Sequence, residues 1–178
     1  TNFVGFTKVK MPVVAEGAQV ELHYDDYFLT DSVGFREGLY TDYYIGNGKA
    51  NGAFSSKFNY KGYRYLKLIG LKEALPLSAI TASTVRTDYS GNASFACSDE
   101  DMNAIFAMTR NTLEALSLGG YIVDCPQIER LGYGGDGNAS AVTAQTFFNL
   151  APLYMNWMQA WSDCQREDGG MPHTAPNP

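Results

Sequence analysis

The sequence predicts a chain of two kinds, an antiparallel β-sandwich portion over residues 1–95 followed by an all-α portion over residues 96–178. Two observations carry that division. Up to Phe95, β-branched and aromatic residues alternate or cluster in short runs separated by Gly-rich breaks, whereas beyond it apolar residues recur at spacings of three and four. The charge divides as well: ten basic and nine acidic side chains precede residue 96, net +1, against three basic and ten acidic after it, net −7.

In the first portion, Phe3–Lys10, Gln19–Tyr24, Asp42–Ile45 and Tyr63–Ile69 are expected as strands, with Gly46-Asn47-Gly48 and Asn51-Gly52 breaking the chain between them. Short strands at such spacing suit a sandwich. In the second, Ser98 can cap a helix with Asp101 as capping-box partner, and Asp99 and Glu100 suit its positive end. Met102, Ile105, Phe106, Thr109, Leu113 and Leu116 then share a face, and Gly119-Gly120 can end the helix. A second helix is expected from about Ser140 to Asn149 and a third from about Ala151 to Arg166, with Pro152 tolerated in its first turn. Leu153, Trp157, Met158, Trp161 and Cys164 make the third helix's apolar side, a stripe expected to pack against neighbouring helices.

Composition removes several classes of function. With 45% hydrophobic and 18% charged residues the chain is expected to fold, and its net charge of −6 has the wrong sign for neutralising a phosphate backbone. No nucleic-acid partner is expected. No apolar run reaches the ~20 residues that cross a bilayer, so no membrane partner is expected either. The opening Thr1-Asn2-Phe3-Val4 reads as excised from something longer. Cys97, Cys125 and Cys164 contain no close pair, and His23 and His173 are the two imidazoles, so neither a metal site nor a cofactor is predicted.

The informative stretch is the connection from Gly119 to Asn138, far longer than the 2–8 residues or so that usually join helices, with six glycines, two tyrosines and three carboxylates. Gly132, Gly134 and Gly137 satisfy G-x-G-x-x-G, but no buried strand precedes them, Asp136 inside the run would repel phosphate, and Trp157 stands where a ribose-binding acid belongs. A dinucleotide site is therefore rejected. Glu129 follows Asp124 by five residues and precedes Asp136 by seven, so all three could line one pocket, where crowded like charge raises at least one pKa. A carboxylic acid kept protonated is what a glycosidic leaving oxygen needs; ionised neighbours can accept from sugar hydroxyls, and Tyr133 can offer a ring face. A calcium-held or purely structural loop is the competing reading, although the D-x-D-x-D-G spacing is missing. Cys125, with no His near it in sequence, reads as packing rather than as a nucleophile.

The run Asp124-Cys125-Pro126-Gln127-Ile128-Glu129-Arg130-Leu131-Gly132-Tyr133-Gly134-Gly135-Asp136 resembles the D-C-P-[QH]-R-E-R-L-G-[WY]-x-G-D signature of the α-L-rhamnosidases of glycoside hydrolase family 78. Asp163-Cys164-Gln165-Arg166-Glu167-Asp168-Gly169-Gly170-Met171-Pro172 is similar to that family's D-x-Q-x-x-D-G-x-x-P segment. Upstream, Phe58-x-Tyr60-x-Gly62-Tyr63-Arg64-Tyr65 and Phe95-x-Cys97-Ser98-Asp99 resemble the end of the family's β-sandwich. The resemblance implies that residues 96–178 are the first helices of an (α/α)6 catalytic barrel and that the whole enzyme hydrolyses terminal α-L-rhamnosides with inversion.

By the same resemblance Glu129 matches the general acid, Asp124, Asp136 and Tyr133 match rhamnose-binding positions, and the general base lies in the remainder of the barrel beyond Pro178. The chain alone is then expected to be inactive. Its partner would be a rhamnose-containing glycoside or polysaccharide, and the family's usual setting is secreted or periplasmic. Ile128 stands where the family usually has Arg, which removes one donor to the sugar or a carboxylate. The other classes to be weighed are a catalytically inactive rhamnose-binding relative and a structural module with a calcium-held loop.

Overall fold

The computed structural model describes residues 2–26, 40–49, 52–91 and 93–177, which fall into two compact units, Thr1–Val85 and Arg86–Pro178. In the first unit β1 (Phe3–Lys10), β2 (Gln19–Asp25), β3 (Thr41–Ile45), β4 (Ala53–Ser55), β5 (Lys61–Tyr63), β6 (Tyr65–Ile69) and β7 (Ile80–Thr84) follow in chain order. Among the described residues all pairings are antiparallel. β1 pairs with β7 over Gly5–Val9, with β5 through Phe3–Gly5 and with β4 through Lys8–Lys10, while β2 lies between β3 and β6 in the other sheet.

Side-chain alternation decides which faces are apolar. On β2, Val20, Leu22 and Tyr24 are buried, and they join Val9, Met11, Val14 and Tyr63 in one core. Glu21 and His23 alternate with them and hydrogen-bond to each other at 2.7 Å. The core also holds a cation. Lys61 is only 2% exposed, its ammonium lies 3.0 Å from Oδ1 of Asp42, and the rings of Tyr24 and Tyr40 flank it at 5.5 and 5.8 Å.

The four expected strands are present, with one difference of substance. The run Tyr63–Ile69 is broken at Arg64, so that β5 pairs in one sheet and β6 in the other. At the crossing, the Arg64 N–H donates to the Asp25 carbonyl at 2.9 Å. Such switching is how a sandwich makes its corners. β4 and β7 had no signal in the sequence, because β4 is three residues long and Thr81–Thr84 of β7 are exposed, which leaves little alternation to read. Asn51 of the expected Asn51-Gly52 break lies outside the described residues.

The second unit contains α1 (Glu100–Leu116), the hairpin strands β8 (Ser117–Leu118) and β9 (Tyr121–Ile122), α2 (Gly134–Phe147) and α3 (Ala151–Asp163). The cap of α1 is Asp99 rather than Ser98: its carboxylate accepts from the N–H groups of Asp101 at 2.9 Å and Met102 at 3.2 Å. Gly119-Gly120 do not end the helix, which stops at Leu116; they are the two-residue turn of the β8–β9 hairpin, with φ of 66° and 89°. Positive φ at both centres is what such a turn requires.

The core of this unit is Leu113, Ile122, Ala144, Phe147, Phe148, Leu150, Leu153 and Trp157, with Phe106 stacked on Phe147 at 4.7 Å and on Phe95 at 5.6 Å. Of the expected stripe, Leu153 and Trp157 are buried and Trp161 and Cys164 half-buried, whereas Met158 is exposed; Pro152 sits in the first turn of α3. α3 ends at Asp163, three residues short of the expected Arg166. On α1, by contrast, Leu113 is buried while Met102, Ile105 and Met108 are about half exposed.

Candidate active site

The chain leaves β9 through Val123 and enters a closed loop, Asp124 to Leu131, whose two ends are joined twice. The Asp124 N–H donates to the Leu131 carbonyl at 3.0 Å, and the Leu131 N–H donates back to Oδ1 of Asp124 at 2.9 Å. Within the loop the Arg130 N–H donates to the Cys125 carbonyl at 3.2 Å, and the Arg130 Nε–H to the Pro126 carbonyl at 3.0 Å. Arg130 takes φ of 61°, a left-handed conformation that a non-glycine residue holds only when its surroundings fix it.

Beyond the loop, α2 starts at Gly134 rather than near Ser140, so Asp136 belongs to the helix's first turn and not to an irregular connection. Gly-Gly-Asp-Gly-Asn is a poor helix start by propensity, and packing overrides it. A Cβ on Gly137 would stand 2.5 Å from the Trp157 ring, and one on Gly132 would strike the Ala175 carbonyl, to which Trp157 Nε1–H donates at 2.8 Å. The G-x-G-x-x-G spacing is thus a seat for a tryptophan. The start of α2 is held further by a bridge between Tyr133 and Thr174 and by the Gly134 N–H reaching the His173 carbonyl at 3.4 Å.

On this frame the candidate residues take different places. Tyr133, the N-cap residue of α2, donates its phenol O–H to Oε2 of Glu129 at 2.6 Å, and Glu129 is exposed. Donating to that carboxylate raises the Tyr133 phenol above its ordinary range, followed by burial and then by the charges of Glu129 and Asp124. Asp124 is half-buried and both its oxygens accept from the loop itself: Oδ1 from Leu131 and Oδ2 from the Cys125 thiol at 2.9 Å. Asp136 is exposed at the N-terminal end of α2, where the helix dipole favours a negative charge. Glu129 and Tyr133 are therefore in direct contact, and Asp124 is tied to the loop that carries Glu129.

Cys125 has a larger part than packing. Besides donating to Asp124, its sulfur accepts the Glu129 N–H at 3.3 Å. Burial, then the Asp124 carboxylate, push the thiol up, so it stays protonated and is no nucleophile. A cysteine beside a carboxylate was the available signal, but nothing in the spacing says where the sulfur points. Among the described residues, no three His, Cys, Asp or Glu side chains are placed to hold a metal ion.

Comparison with known proteins identifies the family of the chain. The bacterial alpha-L-rhamnosidase 6 hairpin glycosidase domain matches residues 90–178, and the bacterial alpha-L-rhamnosidase concanavalin-like domain matches residues 1–86. The chain belongs to the bacterial alpha-L-rhamnosidase family. An alpha-L-rhamnosidase of Formosa agariphila is 27% identical over 99% of this chain and 20% of its own length, and one of Alteromonas sp. is 26% identical over 98% and 20%. The chain thus spans about a fifth of the rhamnosidases it matches. The solved alpha-L-rhamnosidase from Dictyoglumus thermophilum superposes with a TM-score of 0.88 at 28% identity, over 98% of this chain and 20% of that one. The Streptomyces avermitilis alpha-L-rhamnosidase complexed with L-rhamnose shares the fold, with a TM-score of 0.89 at 23% identity over 99% of this chain and 18% of that one. Antiparallel sheets followed by three helices are the family's sandwich and the start of its helical barrel.

Proposed function

We propose that these residues are the acid-bearing part of an inverting α-L-rhamnosidase, in which Glu129 protonates the glycosidic oxygen of a terminal rhamnoside as the bond to C1 breaks. The observation that carries this is the Tyr133–Glu129 hydrogen bond at 2.6 Å on an exposed carboxyl group, within a chain of this family. With Oε2 engaged by the phenol, Oε1 is the oxygen left to hold the transferable proton. When that proton leaves, the phenol O–H already donates to the carboxylate that forms, and a hydrogen bond to the charged form strengthens at that moment.

Asp136, exposed at the head of α2, and Asp124 fix the hydroxyls of the sugar. Inversion needs a second carboxylate about 6.5–9.5 Å from the acid to activate a water on the opposite face of the ring. In this proposal that base belongs to the four-fifths of the rhamnosidase length that residues 1–178 do not span, with residues 96–178 supplying the opening helices of the barrel. The half-exposed Met102, Ile105 and Met108 of α1 are then covered by later helices of the same barrel, and the 178-residue chain alone is inactive.

The deciding experiment uses the complete enzyme and follows by NMR which anomer of rhamnose appears first from an α-rhamnoside. A β-anomer that disappears in Glu129→Gln supports the assignment; an α-anomer, or parent-like hydrolysis by Glu129→Gln, refutes it. Rhamnose binding without hydrolysis by the parent would mark an inactive sugar-binding relative, the reading that Ile128 in place of the family's usual Arg keeps in view.

A further inference from the structure

Building on Glu129 as the proton donor, we infer that Cys125 is a positioning residue for the acid: its thiol ties the carboxylate of Asp124 to the backbone of Glu129 and so fixes where Glu129 stands. One sulfur makes two directed contacts, S–H to Asp124 Oδ2 at 2.9 Å and the Glu129 N–H to Sγ at 3.3 Å. A third contact of the same residue, its carbonyl accepting from Arg130 at 3.2 Å, closes the turn on the other side of Glu129. The acid's backbone is therefore clamped on both sides by one residue.

The arrangement has a required protonation state. The S–H can donate only while the thiol is neutral, which its burial and the adjacent carboxylate secure. Asp124 in turn holds Oδ1 on the Leu131 N–H at 2.9 Å, so its orientation is fixed from two sides and the sulfur inherits that rigidity. The exposed Cys97 makes no such bridge, donating instead to the Asp99 carbonyl at 3.4 Å. On the other side, the Tyr133 phenol at the head of α2 donates to the Glu129 carboxylate, so the acid's side chain is held from the helix while its backbone is held from the loop.

The test compares Cys125→Ala and Cys125→Ser with the parent in the complete enzyme, measuring kcat and KM across pH on rhamnosides with poor and good leaving groups. Cys125→Ala should lower kcat about tenfold on the poor leaving group, as expected for one lost hydrogen bond to a charged group, and less on the good one, with KM within about twofold. Cys125→Ser keeps a donor and an acceptor and should recover most of the rate. Parent-like kcat of Cys125→Ala on the poor leaving group, or a Cys125→Ser variant no better than Cys125→Ala, would overturn the assignment. Should the alanine variant fail to fold, the S–H infrared band isolated from the parent minus Cys125→Ser difference spectrum decides: a band lowered in frequency by hydrogen bonding supports the bridge, and a free-thiol band rejects it. Glu129→Gln in the same assay separates the two levels. If it hydrolyses the poor-leaving-group substrate at the parent rate, the acid itself is misassigned; if it is dead while Cys125→Ala is unimpaired, only the clamp is.

Discussion

The phenol of Tyr133 and the carboxylate of Glu129 are 2.6 Å apart across one turn of chain, the phenol belonging to the N-cap residue of α2 and the carboxylate projecting from the closed loop before it. The contact makes a rigid helix terminus the reference point for a side chain that is itself exposed. It also holds the Tyr133 phenol above its ordinary range.

Glu129→Gln in the complete enzyme should abolish most hydrolysis of rhamnosides with poor leaving groups, by about 10²–10⁴-fold, the usual contribution of a general acid. Glutamine keeps the shape and can still accept from Tyr133, but it has no proton to give. Rhamnosides whose leaving group needs little protonation should lose much less, and steady-state rates on the two substrate types check it.

The same substitution should bring the Tyr133 phenol down toward the ordinary tyrosine range. Its elevation comes first from donating to Glu129, and the carboxylate's charge further disfavours a phenolate beside it; a glutamine in its place would remove the charge and weaken the acceptor. In the parent, therefore, Tyr133 ionises at higher pH than in the variant. Ultraviolet difference titration of parent against variant isolates this one residue, and no difference would mean that the two groups do not meet in solution.

Asp124→Asn and Asp136→Asn should each lower kcat/KM roughly ten- to hundred-fold, from charge-assisted hydrogen bonds worth about 1.5–3 kcal/mol. Stability should tell them apart. Asp124 accepts from Leu131 and Cys125 and should cost about 1–2 kcal/mol when its charge is lost, whereas Asp136 contributes only its helix-dipole term of about 0.3–1 kcal/mol. Urea denaturation of the two variants makes the comparison.

Gly137→Ala and Gly135→Ala, two residues apart in α2, should move stability in opposite directions. A methyl on Gly137 meets the Trp157 ring at 2.5 Å, and overpacking of this kind costs about 1–3 kcal/mol, more than the gain of about 1 kcal/mol in helix propensity. At Gly135 a Cβ meets nothing within 4 Å, so the propensity gain stands alone at about 0.5 kcal/mol or more. Thermal melting of both variants measures the sign.

In the sandwich, Asp42→Ala should destabilise by about 3–5 kcal/mol because it strands the buried ammonium of Lys61. The double variant Asp42→Ala with Lys61→Met should recover most of that loss. Chemical denaturation of the single and double variants tests the coupling, and equal losses would show that the pair is not what Asp42 supplies.

Sequence alone determined the order of the chain, antiparallel strands and then helices, because strand alternation, helix spacing and an acidic first turn are local properties that survive without knowledge of neighbours. Phe3–Lys10 is a strand with the bounds its pattern predicts, and the motif around Asp124-Cys125-Pro126 named the family from residue identities. What only the tertiary structure decided are the features set by groups distant in sequence. Trp157, twenty residues after Gly137, draws a glycine-rich stretch into helix from Gly134 against its propensity. The Arg64 N–H reaching the Asp25 carbonyl turns one apparent strand into two strands of different sheets. And the spacing of Asp124, Cys125 and Glu129 could say that they are near one another, but not that the sulfur lies between a carboxylate and a backbone N–H. A hydrogen bond depends on direction as well as distance, and direction is fixed by how the loop closes on Leu131.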